Sequence, residues 1–227
     1  MILLAAFLLG GTFGVGLWLY ISGFITRLQA DIYNNYIELF PKKRPLFQPH
    51  FATIQQKKCG HILRYFFITG FLCALLTALA ENPLFALWLG GILILLWAIA
   101  YLDWQYQLIS PTPCLWLLAF GLFGAAQSFS PLTLEQSLQS AVIFFLIFYG
   151  IYWIAKWYYQ KEAFGQGDYW LALGIGSYLP LEDLPLFLFI ASALGILLAI
   201  FSKRKDNFLP FAPFLCLAVL VVFSLNY

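Results

Sequence analysis

No charged residue interrupts the chain from Leu84 to Leu102. That is close to the ~20 residues an α-helix needs to cross the hydrocarbon core of a bilayer. Seven further apolar runs accompany it: Ile2–Ile25, Tyr65–Ala80, Pro113–Ala126, Ser137–Ala155, Tyr169–Leu179, Leu184–Phe201 and Phe208–Leu225. Composition agrees, with 63% hydrophobic and only 10% charged residues, where a soluble domain carries about 25% charge. These values exclude a nucleic-acid binder, a secreted disulfide scaffold and a disordered chain. The expected fold class is all-α: a polytopic integral membrane protein of about eight transmembrane helices with a small cytoplasmic loop region. The first run has no basic residue ahead of it and exceeds the apolar core of a signal peptide. It is therefore expected to be a retained span.

Charge distribution tests the count. With eight spans and the N-terminus outside, segments 26–64, 103–112, 156–168 and 202–207 face the cytoplasm. They hold all 12 Lys and Arg residues, as the positive-inside rule requires. The outer loops carry Glu81, Glu135, Glu182 and Asp183 without a base. Three regions follow: 1–25, the first transmembrane helix; 26–64, a basic cytoplasmic loop; and 65–227, a bundle of about seven helices. The loop holds Pro41, Pro45, Pro49 and the Lys42-Lys43-Arg44 cluster, which suits an anionic lipid surface. The run Tyr169–Leu179 is too short to span unaided, so a short helix and a re-entrant segment are both open.

Cys59, Cys73, Cys114 and Cys216 are scattered, and no CxxC pair occurs. Neither a disulfide framework nor a structural zinc site is expected. Cys59 with His50 or His61 falls short of the four ligands zinc takes.

The chemistry is expected at two acids. Asp103 follows the third span and Asp168 precedes the sixth, so both arrive at the cytoplasmic boundary. Acids at such places are candidates for function. Two carboxyls that meet can share one proton: the charged one takes a proton from water, and the neutral one hydrogen-bonds the carbonyl under attack. Simpler roles stay open, with Asp168 as a helix N-cap and Asp103 as an interfacial end-marker.

At these residues the sequence resembles the type IV prepilin peptidases, polytopic aspartyl proteases of the GxGD class. The second motif is Gly165-Gln166-Gly167-Asp168, leading into a small-residue-rich helix. The first is Asp103 at the end of an apolar helix, followed by Gln107-Leu108-Ile109 and Pro111. Arg64-Tyr65 is a weaker third match. The resemblance implies that Asp103 and Asp168 are the catalytic pair. Gly165 and Gly167 would let backbone approach substrate and leave the aspartate uncrowded. It also implies prepilin or pseudopilin substrates, cut behind a short basic leader at the cytoplasmic face of the bacterial inner membrane. Proteolysis then needs no cofactor. S-adenosylmethionine enters only if the family's second activity, N-methylation of the new N-terminus, is retained.

Three departures stand out. Trp170 occupies the family's lysine position, Ser110 precedes the proline by one place, and the cytoplasmic CxxC pairs are missing. They motivate an alternative, a catalytically inactive relative acting as a membrane scaffold. A transporter would also tolerate intramembrane acids, but would place them near the midplane.

Overall fold

The computed structural model describes residues 1–41, 54–160, 165–201 and 210–226, and among them all regular structure is helical. The elements are α1 (Ile2–Ser22), α2 (Phe24–Leu39), α3 (Ile62–Leu79), α4 (Pro83–Tyr106) and α5 (Pro111–Ala126). Then come α6 (Leu134–Tyr159), α7 (Gln166–Gly176), α8 (Leu184–Phe201) and α9 (Ala212–Asn226). Five segments are long and apolar enough to cross a membrane: α1, α3, α4, α6 and Leu181–Phe201, which is α8 with the short 3-10 turn before it. Pro111–Ala126 and Ala212–Leu225 are shorter apolar helices. Large apolar side chains such as Phe67, Ile68, Phe71, Ile154 and Phe189 are exposed on these helices, as lipid-facing residues are. The chain is an integral membrane protein. His50, Lys42, Lys43, Arg44, Lys161, Lys203, Arg204 and Lys205 lie outside the described residues.

Two compact units form, Met1–Gly90 and Gly91–Tyr227. In the first, α1 packs along α3 through small residues. A Cβ added to Gly10 would lie 2.6 Å from Cys73 Cβ, and one on Gly14 would strike Thr69 Oγ1 and the Tyr65 carbonyl. Such close backbone approach is how helices associate in lipid, where no hydrophobic force draws them together. Residues 24–39, which lack a long apolar run, form α2 behind a break at Gly23. The Gln56 side chain fills that break: its oxygen accepts the Ile25 N–H at 2.9 Å, and its amide donates to the Ile21 carbonyl at 3.0 Å. Trp18 donates to the Gly60 carbonyl at 2.7 Å and Gln29 to that of Ile54 at 2.7 Å. Residues 54–60 are thereby pinned to the α1–α2 elbow.

In the second unit α7 is the buried centre. It packs between α5 and α6 and touches α9. Its 11 residues rise only about 16 Å. A Cβ on Gly174 would meet the Cys114 carbonyl at 2.9 Å, and one on Gly176 would lie 2.9 Å from Ala141 Cα. Both neighbouring backbones therefore press against this short helix. Its C-terminal end is fixed by polar bonds inside the unit. Ser137 donates to the Ser177 carbonyl at 2.8 Å, and Tyr178 donates to the Leu117 carbonyl at 2.6 Å. The first satisfies a carbonyl that the end of α7 leaves open in an apolar setting, and the second satisfies the buried Tyr178 hydroxyl.

Candidate active site

Asp103 and Asp168 are the buried acids among the described residues, each 5% exposed. Asp31, Glu38, Glu81, Glu135 and Glu182 are exposed. The two carboxyls come within electrostatic reach of each other. The second unit thus brings together the two residues that the sequence singled out.

Asp103 sits inside the last turn of α4, because Trp104, Gln105 and Tyr106 continue the helix. Gln107 then takes a left-handed conformation, φ 54°, and its N–H closes on the Asp103 carbonyl at 2.8 Å. That conformation ends a helix. It turns the chain into Leu108-Ile109, and Ser110 caps α5 by accepting the Thr112 N–H. Pro111 stands at the first helical position, where its missing N–H costs nothing. The displaced proline of the first motif is therefore a helix start. The Asp103 side chain reaches α9: Oδ2 accepts the Ala212 N–H at 2.9 Å.

Asp168 is the third residue of α7, and the N-cap is Gly165. Of its simpler roles, the N-cap position therefore belongs to another residue. The carboxyl faces back to the Gly165 N–H, half of a capping box. Gly165 has a steric reason to be glycine, since a Cβ there would lie 2.9 Å from Asp168 Oδ2. Gly167 has a different one. A Cβ there would lie 2.3 Å from Ile109 Cβ, so the space beside it is filled by this chain's own post-Asp103 segment. The two motifs pack on each other at Gly167 and Ile109.

Cys114 and Cys216 are buried nearby. Cys216 lies within electrostatic reach of Cys114 and of both aspartates, and Cys114 donates to the Ser110 carbonyl at 3.4 Å. Among the described residues no group of three His, Cys, Asp or Glu could hold a metal ion. Trp170, at the lysine position, packs on Phe145 and Tyr169 at centroid distances of 5.6 and 5.9 Å.

Sequence reasoning missed Ala212, whose contribution is a backbone N–H. Pro213 just inside the helix start was the available signal. It also missed Tyr152, whose hydroxyl accepts from Gln166 at 3.2 Å and from Lys156 at 3.1 Å.

A helical membrane unit that buries two interacting carboxyls at helix ends has the make-up of an intramembrane aspartyl hydrolase. Comparison with known proteins is in line with it. The Type IV leader peptidase family model matches residues 90–200, which contain both motifs. A protein of Haemophilus influenzae named prepilin leader peptidase/N-methyltransferase is 58% identical over 227 residues, covering 100% of this chain and 99% of that protein. The type 4 prepilin-like proteins leader peptide-processing enzyme of Escherichia coli is 34% identical over 64% of this chain and 57% of its own length. The prepilin leader peptidase/N-methyltransferase of Stutzerimonas stutzeri is 31% identical over 57% of this chain and 47% of its own. No solved structure matches. The chain belongs to the Type IV leader peptidase family.

Proposed function

We propose that this chain is an aspartyl endopeptidase that removes the short basic leader of prepilin or pseudopilin substrates, with Asp103 and Asp168 as the catalytic pair. The observation that carries this reading is that they are the two buried acids among the described residues and lie within electrostatic reach of each other. The full-length likeness to the Haemophilus influenzae protein supports the substrate class.

One carboxylate takes a proton from a water molecule, whose oxygen attacks the scissile carbonyl. The other carboxyl, still protonated, hydrogen-bonds the carbonyl oxygen and stabilises the tetrahedral intermediate. Transfer of a proton to the departing amine completes hydrolysis. Two like charges held close resist joint ionisation, so the pair holds the single proton that the cycle needs. Gly165 keeps the second carboxyl uncrowded. Read with eight spans, the sequence puts all 12 basic residues on the side of the two aspartates, which supports a cytoplasmic active face in the inner membrane.

The name of the Haemophilus relative includes N-methyltransferase, an activity that uses S-adenosylmethionine. If this chain retains that activity, S-adenosylmethionine would supply the methyl group.

The test is co-expression with a tagged prepilin in cells lacking their own leader peptidase. Leader removal with this chain and none with empty vector is expected. An uncut prepilin beside well-inserted protein, across several prepilins, would contradict the reading.

A further inference from the structure

Tyr152 touches one residue on each side of Asp168, Gln166 before it and Tyr169 after it. Its hydroxyl accepts the Gln166 side-chain amide at 3.2 Å, and its ring meets that of Tyr169 at 5.8 Å. It is 5% exposed, so its place is set by packing. Phe145, Tyr149, Tyr152 and Lys156 are spaced to lie along one face of α6. The rings of Phe145 and Tyr149 also meet Tyr169 edge-on, at 5.4 and 5.5 Å. Lys156 completes the stripe. Its ammonium donates to the Tyr152 hydroxyl at 3.1 Å and lies 5.4 Å from the centre of that ring.

The first turn of α7 needs such support. A helix of 11 residues is marginal alone. Its N-cap is Gly165, which offers no side chain to the open N–H groups. Asp168 supplies one contact, back to the Gly165 N–H, but that contact moves with the helix start. The Gln166–Tyr152 bond ties the start to α6, a neighbour of 26 residues. The C-terminal end of α7 has its own ties through Ser137 and Tyr178.

We propose that Tyr152 and Gln166 are positioning residues for Asp168, and that Lys156 holds the Tyr152 hydroxyl where Gln166 can reach it. This rests on the leader-peptidase reading. The Gln166 position of the Gly-x-Gly-Asp motif then has a job in this chain: its side chain registers the acid against α6.

Tyr152→Phe keeps the ring and removes the acceptor. Gln166→Leu removes the donor at an exposed site, so at least one variant should fold. With purified wild type cutting a prepilin, each is expected to lower kcat about tenfold, with KM unchanged. The double variant should be no slower than the slower single. Wild-type kcat in both singles, or a raised KM with kcat unchanged, would overturn the positioning role and leave the peptidase reading intact. If wild type cuts nothing, that reading fails, and a second readout still decides this one. Labelling of Asp168 relative to Asp103 by dicyclohexylcarbodiimide, followed by peptide mass spectrometry, should change severalfold in both variants. An unchanged ratio would overturn the proposal.

Discussion

Asp103 Oδ2 accepts the Ala212 N–H at 2.9 Å, so the carboxyl at the end of α4 closes the beginning of α9. Asp168 stands in the first turn of α7. The carboxyls of both therefore face a helix N-terminus, that of α9 for Asp103 and that of α7 for Asp168, where exposed N–H groups favour negative charge.

The Ala212 bond can be removed by a proline, and a valine matches the bulk that the proline adds at this buried site. Ala212 is its first residue, a position that tolerates proline. Ala212→Pro loses the N–H, and Ala212→Val adds similar bulk while keeping it. Cleavage by the proline variant should fall about tenfold below the valine variant, as for loss of a hydrogen bond to a charged group. Helical content by circular dichroism should be equal. Equal rates would show that Ala212 does not hold Asp103.

Gly167 and Ile109 should behave as a coupled pair. Because the contact is with Ile109 Cβ itself, Gly167→Ala should destabilise the fold by about 1–3 kcal/mol and slow cleavage. Ile109→Ala keeps that atom and should rescue little. Ile109→Gly removes it and should restore part of the loss. Denaturant midpoints in detergent and cleavage rates of Gly167→Ala, alone and combined with each Ile109 change, check this.

Cys59 should be the slow but reachable thiol. It is partly exposed, and Cys73, Cys114 and Cys216 are buried. Burial pushes the Cys59 thiol up from its ordinary value, with a weaker opposing effect of the Gln56 amide. A raised value means less thiolate at neutral pH and slower alkylation. Maleimide labelling of the folded protein should therefore modify Cys59 alone, more slowly at pH 7 than a free thiol, and speed up toward pH 9. Rapid labelling at pH 7 would contradict this environment.

The long apolar runs were legible because lipid selects them strongly. The run Leu184–Phe201 coincides with α8. Boundaries were less legible where polar or aromatic residues extend a helix: Trp104, Gln105 and Tyr106 lower the apolar signal but keep Asp103 helical. The α2 helix was hidden because Arg27, Asp31, Asn34, Asn35 and Glu38 break any apolar run. The two aspartates could be found from side chains and motif. Their partners could not, since Ala212 acts through its backbone and Gly167 through an absent Cβ. The Gln166–Tyr152 bond joins residues on different helices, and neither has a local pattern that announces it.

The central claim is that Asp103 and Asp168 work as one unit, and the rates of three variants test it most directly. Asp103→Asn and Asp168→Asn should each lower prepilin cleavage by about 10³-fold or more, with membrane levels unchanged. The double variant should be no slower than the slower single. A single variant cutting near the wild-type rate, or losses that multiply in the double, would contradict the paired assignment.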